Sequence, residues 1–428
     1  MRQMKDSGIE WIGEIPKDWC VKNGKYVFNV YGMSVNDDFI SDTVEESYKI
    51  KYYKVDNLNE ATEQFYVKSN FANFSIKIYE IKGPIILVPK RGGAIYTNKV
   101  RIEKEACLFD SNIMGLTTNN NVRFMAYVLY GRGLSDIGDV TTIPQINKKH
   151  IDVLKIPVPS INEQEVIVEY LDTKCSEIDA TTEDIQKEIS LLEDYKKSVI
   201  TEAVTKGLNP DAEMKNSGIE WIGEIPKHWK VLRIKNVGEY RNGLTYKPTD
   251  LTDENTGTLV LRSSNIQDGK ISLNDNVYVS TFVRSDLKVK KGDILICSRN
   301  GSRELVGKNA IIEDLKDVTF GAFMMIFRCN SPKYLYYILN SKVFSYYLGS
   351  FFTSTINQLT GSNFGNMKIV YVSDKLEQSK IVSYLDSKCS EIDSLIADKK
   401  RQLDILADYK KSLIYEYVTG KKEVPVNE

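Results

Sequence analysis

The chain has 428 residues, 42% hydrophobic and 27% charged, a globular balance whose length exceeds one core of ~150 residues and predicts two or three domains. No apolar run approaches the ~20 residues that span a bilayer, no apolar signal core follows Met1-Arg2-Gln3-Met4-Lys5-Asp6, and six cysteines without a CxxC pair argue against a disulfide framework and a structural zinc. The expectation is a cytoplasmic protein with reduced thiols, no metal and no membrane partner, and a net charge of −1 admits nucleic acid only if the charge is unevenly distributed.

In chain order, Met4–Trp19 reads MKDSGIEWIGEIPKDW. Short apolar runs then predict strands: Ile85–Val88 in the first half, and Thr258–Leu261, Ile294–Cys297 and Phe323–Phe327 in the second. Tyr334–Leu348 is rich in aromatics and reads as helix. Glu163–Thr205 holds no Gly or Pro, and Leu171, Ile178, Ile185, Leu192 and Val199 recur every seven residues, a seam for packing helix on helix. Gly207-Leu208-Asn209-Pro210 stops that helix. Met214–Trp229 then repeats the opening segment with two changes, Asn216 for Asp6 and His228 for Asp18. Glu377–Thr419 repeats the helix, with Leu385, Ile392, Leu406 and Leu413 on the seam and Lys399 where the first copy has Ile185. Each helix would be ~60 Å long. A rod of that length with one apolar stripe needs a partner: its own duplicate in an antiparallel coiled coil, or the domain that it caps. Self-similarity on this scale makes the chain a duplication, and the segments between the frames, Cys20–Asn162 and Lys230–Leu376, look largely unlike each other. The expected fold is α+β: two mixed α/β domains (1–160 and 209–374), two helical regions (161–208 and 375–420) and a polar tail (421–428).

Charge is partitioned along this plan. The first helix is dense in Asp and Glu, and acidic rods are expected to be repelled by DNA. Lys77, Lys82, Lys90, Arg91, Lys99, Arg101 and Lys104 crowd one stretch against Glu80 and Glu103, and Arg284, Lys288, Lys290, Lys291, Arg299, Arg303 and Lys308 crowd another. A charge run is commonly a solvated face, but this one recurs in both copies. Lys90-Arg91-Gly92 aligns with Arg299-Asn300-Gly301, each ending a strand. Glycine permits close backbone approach, and Arg and Asn are suited to guanine and adenine edges; a β-turn with incidental arginine is the plain alternative. Asn57 and Asn265, with Arg262 nearby, and Gln145 and Gln358 recur in similar settings. They could read bases or cap structure.

Catalytic signatures are missing from the sequence. There is no Pro-Pro, hence no adenine-methyltransferase tetrapeptide. Gly301–Lys308 has the wrong spacing for a phosphate loop and is followed by Asn309. His150 and His228 do not recur between copies. Cys175 and Cys389 fall on the seam as small core residues.

The paired SGIEWIGEIP segments (Ser7–Pro16, Ser217–Pro226) and the paired EQ…YLD.KC.EID…DYKKS helices resemble the specificity subunit of type I restriction–modification systems, over essentially the whole chain. The resemblance implies a non-catalytic DNA-binding subunit. Two variable target-recognition domains would each read half of a split sequence in double-stranded DNA, and the helices would fix the gap and dock two modification subunits. It implies no cofactor in this chain: S-adenosylmethionine would belong to the modification subunits, and ATP and Mg to restriction subunits that complete the complex. Carried onto this sequence, Lys90, Arg91, Gly92, Arg299, Asn300, Gly301, Arg303, Asn57, Arg262, Asn265, Gln145 and Gln358 are the expected DNA contacts. An assembly scaffold without productive DNA recognition, or a silent store of specificity domains, is the alternative.

Overall fold

The computed structural model describes residues 2–33, 40–41, 49–68, 73–76, 81–139, 144–351 and 357–425; Lys77 and Glu80 lie outside them. The chain divides into two compact units, Met1–Gln186 with Lys400–Glu428, and Lys187–Lys399. No helix among the described residues is long and apolar enough to cross a membrane.

In the first unit the opening segment is an antiparallel hairpin, Met4–Ile9 with Gly13–Pro16, closed by the buried Trp19. The strand Cys20–Asn23 then pairs antiparallel with Lys155–Val158, so the domain between them enters and leaves side by side. That domain contains a six-stranded sheet in the order Asn29–Gly32, Ile113–Thr117, Ile85–Pro89, Arg101–Glu103, Tyr66–Val67, Ala61–Thr62. Strand Ile85–Pro89 is buried throughout. Because side chains alternate across a strand, Ile86 and Val88 join the core of Phe124 and Leu129, and Ile85 and Leu87 join that of Tyr53 and Phe109. Helix Val122–Arg132 starts where the Asn121 side chain accepts from the backbone N–H groups of Arg123 and Phe124, an N-cap worth ~1 kcal/mol.

The second unit has the same plan despite its unlike sequence. Met214–Asn216 pairs with Glu224–Pro226, and Lys230–Arg233 with Lys368–Tyr371. Its central sheet runs Gly238–Asn242, Met324–Cys329, Ile294–Cys297, Asn309–Ile311. In both units the strand that precedes the central hairpin lies parallel to a later one, Lys51–Tyr53 with Cys107–Phe109 and Val260–Leu261 with Thr319–Phe320. Two details differ from the sequence reading. Tyr334–Leu348 is broken into helices Pro332–Leu339 and Lys342–Phe351, with the Ser341 hydroxyl donating to Ile338 O (2.7 Å) at the break. Phe323 lies outside its strand, which begins at Met324.

The long helices are Ile161–Lys206 and Lys375–Val418. On the seam, Leu171, Ile178, Ile185, Val199, Leu385, Ile392 and Leu413 are buried, and Leu192 and Leu406 are half-buried. Burying one such side chain contributes ~1.5–3 kcal/mol. The pairing is antiparallel within each unit. In the first, the Tyr170 ring lies 4.6 Å from Tyr417 and Asp179 pairs with Lys410 at 2.6 Å. In the second, Glu188 pairs with Lys399 and Lys196 with Asp393 at 2.6 Å. Lys399, the seam interruption, is thus matched by an acid opposite. Cys175 and Cys389 are buried free thiols, and burial pushes each up to about 11. Only the first helix is an acidic rod, with twelve Asp and Glu against five Lys. The second carries eight of each sign, which corrects the expectation of acidic character in both.

Candidate nucleic-acid interface

In each unit the central strand ends where two loops converge. In the second unit the strand Ile294–Cys297 leads to Ser298, whose N–H donates to Phe323 O (2.9 Å), while Ser298 O accepts from Leu359 N–H (2.7 Å). Arg299 and Gln358 form an isolated antiparallel bridge. The Asn300 carboxamide is engaged at both ends: Oδ1 accepts from Ser302 N–H (3.0 Å) and Nδ2 donates to Ser263 Oγ (3.2 Å). Asn265, 0% exposed, accepts from Arg262 N–H (2.9 Å) and donates to Ser272 O and Asp275 O (3.0 and 3.1 Å). Of the two roles open to it, capping is the one whose hydrogen bonds are present.

These loops enclose a cleft of about 850 Å³ whose walls include Tyr246, Arg262, Arg299, Asn300, Gly301 and Phe323. It gathers four of the residues singled out from the sequence. Arg262 is held by Asp275 (2.8 Å). Arg299 lies over the Phe323 ring, 5.2 Å from its centroid. Arg303 sits apart from the cleft lining and donates to Gly349 O (3.4 Å). Sequence reasoning missed Tyr246 and Phe323. For Phe323 a signal existed in Gly321-Ala322, a turn just before the apolar run; for Tyr246 there was none.

The first unit has the same crossing with other side chains. Lys90 N–H donates to Asn112 O (2.7 Å), Ile146 N–H to Lys90 O (2.9 Å) and Gly92 N–H to Pro144 O (3.0 Å). Arg91 and Gln145 form the isolated bridge, and the Gln145 side chain donates to Asn147 Oδ1 (3.0 Å). Asn57 accepts from Lys54 N–H (2.7 Å) and so caps its short helix. Gly92 has φ +74° with open space where a Cβ would stand. The Asp110 carboxyl, which burial pushes up, accepts from Asn112 N–H (2.9 Å).

The two crossings correct the sequence alignment by one residue. The bridges and ladder place Arg91, not Lys90, opposite Arg299 in the repeat, and Lys90 opposite Ser298. A slip of one residue exchanges the faces of a strand. The burial partition of Ile86 and Val88 with Ile294 and Ile296 therefore settles the register. The basic crowding also divides. Arg284 pairs with Asp286 and Lys288 with Asp317, both at 2.7 Å. Lys99 donates to Asn59, Arg101 to Val100 O, and Lys104 lies over the Tyr66 ring. Arg91 and Arg299 are exposed at the strand ends.

The family model for the type I restriction modification DNA specificity domain matches residues 16–191 and 226–404. The chain is 25% identical to the type I restriction enzyme MjaVIII specificity subunit of Methanocaldococcus jannaschii, over 96% of this chain and 94% of that protein. It is also 25% identical to the putative MjaX specificity subunit of the same organism, over 96% of each. A chain from a solved structure concerned with assembly and conformational transition of the type I restriction–modification system shares the fold, with a TM-score of 0.67 at 13% identity, covering 95% of this chain and 99% of that one. With its duplicated frame, its two long helices and its two strand-end loop crossings, the chain belongs to the specificity subunits of type I restriction–modification systems, the subunits that recognise the DNA target.

Proposed function

We propose that each unit's recognition domain reads one half of a bipartite, asymmetric target in double-stranded DNA, and that the paired helices set the gap between the halves. The observation that carries this is one topology with two differently lined crossings: Arg299, Phe323, Asn300 and Tyr246 in one, and Arg91, Asn112 and Gly92 in the other. Identical heads would read a repeated sequence, whereas different side chains on one scaffold read different bases. Arg91, Lys90, Arg299 and Arg303 supply the DNA contacts. Gly92 and Gly301 let the backbone approach. Asn57, Asn265, Asn300, Arg262, Gln145 and Gln358 hold the loops that present them.

The chain itself is non-catalytic and works in the cytoplasm. Two modification subunits dock on the duplicated frame and transfer methyl groups from S-adenosylmethionine, and restriction subunits using ATP and Mg complete the complex. Support for docking comes from a duplicated surface. Leu191 and Tyr195 on the first helix recur as Ile405 and Tyr409 on the second, and all four are exposed. Apolar side chains kept outward in both copies suit a partner that binds twice.

Mapping methylated adenines in cells that express the chain with its modification subunits tests the reading. The expected result is one split motif with a fixed gap and unlike halves; a single contiguous motif would overturn it. Leu191→Asp with Ile405→Asp is expected to release the modification subunits without unfolding the chain, read by size-exclusion chromatography and thermal melting. Retained assembly would remove the docking surface from the proposal.

A further inference from the structure

We infer that the second recognition domain reads a guanine through Arg299, and that Phe323 is the residue that holds the Arg299 guanidinium in reading position. This rests on the reading of the cleft as a DNA interface and goes beyond it by assigning the base.

Three observations converge. First, Arg262 and Asn300, the other two side chains of the cleft suited to a guanine or adenine edge, are engaged within the protein. Arg262 is paired with Asp275, and the Asn300 carboxamide is bonded at both ends, which leaves it poorly placed for the two-bond pairing that an adenine edge requires. The Arg299 guanidinium, by contrast, makes no hydrogen bond among the described residues, and its side chain is exposed at the cleft wall. A guanidinium has five N–H donors in a planar fork and no acceptor, and the base edge it matches is the O6/N7 pair of guanine in the major groove.

Second, Phe323 is a large apolar side chain left 58% exposed beside a polar cleft. Core packing does not account for it. Its ring lies under Arg299, 5.2 Å from centroid to Cζ, and its carbonyl accepts the Arg299 N–H (3.1 Å). Backbone and side chain of one residue thus fix both ends of the arginine. Stacking on an aromatic face restricts a long side chain before it meets its target and lowers the entropic cost of binding.

Third, among the described residues the first unit has the arginine without the platform. Asn112 stands where Phe323 stands, since its carbonyl accepts from Lys90 N–H as that of Phe323 accepts from Ser298 N–H. Ring and arginine together therefore belong to the second domain's own specificity rather than to the shared scaffold.

The test uses the full chain assembled with its modification subunits, methylome sequencing, and binding competition on duplexes built from the wild-type motif with one pair changed at a time. Arg299→Ala is expected to relax one G·C position in one half of the motif, on the order of ten- to a hundredfold in discrimination, with the other half unchanged as an internal control for folding. Arg299→Lys keeps the charge but not the fork and is expected to relax the same position while retaining more overall affinity. Phe323→Ala is expected to relax that position by a smaller factor. Relaxation at an A·T pair overturns the inference. So does a uniform loss of affinity across all duplexes, which would make Arg299 a phosphate contact, and so does an unchanged motif in Arg299→Ala. A wild-type complex that binds its mapped motif no better than a scrambled duplex would instead remove the DNA-interface reading beneath it.

Discussion

At the centre of the second unit, Asp293 is 1% exposed and holds Arg328 through two 2.7 Å hydrogen bonds. At the matching ladder positions of the first unit stand Ile85 and Thr117. One strand pair therefore tolerates either an ion pair or uncharged residues at the same place. What the two share is satisfied geometry: a buried carboxylate needs its partner as firmly as a buried methyl group needs its neighbours. The scaffold fixes backbone paths and leaves side-chain chemistry free, and this is what the proposed reading of two unlike half-sites with one fold would require.

Arg328→Ala leaves Asp293 buried without its cation and is expected to cost ~3–5 kcal/mol, whereas replacing both with the residues of the first unit, Asp293→Ile with Arg328→Thr, is expected to be near neutral or stabilising. Urea unfolding of the full chain would measure both. A double variant as unstable as the single one would mean that the domains are not interchangeable at this site.

Each long helix stops at a glycine with positive φ, +77° at Gly207 and +70° at Gly420, packed on the proline and tryptophan of an opening hairpin. A Cβ at Gly420 would lie 2.4 Å from Pro16 Cδ, and one at Gly207 would lie 3.1 Å from the Trp229 ring. Alanine at either position is expected to cost about 1–3 kcal/mol for the left-handed backbone, with Gly420→Ala the worse because it also meets the proline ring. Equal thermal shifts would show that the second hairpin is as tightly seated as the first.

The smallest effect separates the two positions where the opening segments differ near the helix start. In the first unit Arg2 binds both Asp18 and Glu163, and its guanidinium holds the Asp18 carboxyl below the usual range. In the second, His228 stands in place of Asp18 and bonds to Glu377 (2.9 Å), which also accepts from Trp229 Nε1 (3.0 Å). A lowered carboxyl pKa stabilises the fold above its unfolded value and loses that contribution as pH falls through its folded value. Asp18 is largely exposed, so Asp18→Asn should cost only ~0.5 kcal/mol or less at neutral pH, and less still as acid protonates the carboxyl in the folded chain. Stability curves that stay parallel from pH 7 to 3 would place the anchor elsewhere.

The frame was legible in the sequence because it is written twice. Seven-residue spacing and the stop at Gly207 locate the helices, and near-identical hairpins locate their seats. The heads were legible as short strands and one aromatic-rich helical stretch. Their common topology was hidden because ladder geometry constrains burial rather than identity, as the exchange of Ile85 for Asp293 illustrates. The offset that set Lys90 against Arg299 followed from matching Lys82-Gly83 to Lys291-Gly292, where the first unit holds one more residue before its inward isoleucine. Asn265 could not be told from a base reader until its three partners were placed, and Phe323 looked like core because exposure is decided by the loop opposite.

The necks formed by Cys20–Asn23 with Lys155–Val158 and by Lys230–Arg233 with Lys368–Tyr371 have an evolutionary consequence. Each cassette begins and finishes on adjacent strands, between a hairpin segment and a long helix that both recur in the other half of the chain. A crossover in those flanks would exchange an entire reader while preserving the phase of everything downstream. On the proposed reading, a new half-site would then be acquired whole, without passing through the inactive intermediates that stepwise substitution of contact residues would demand.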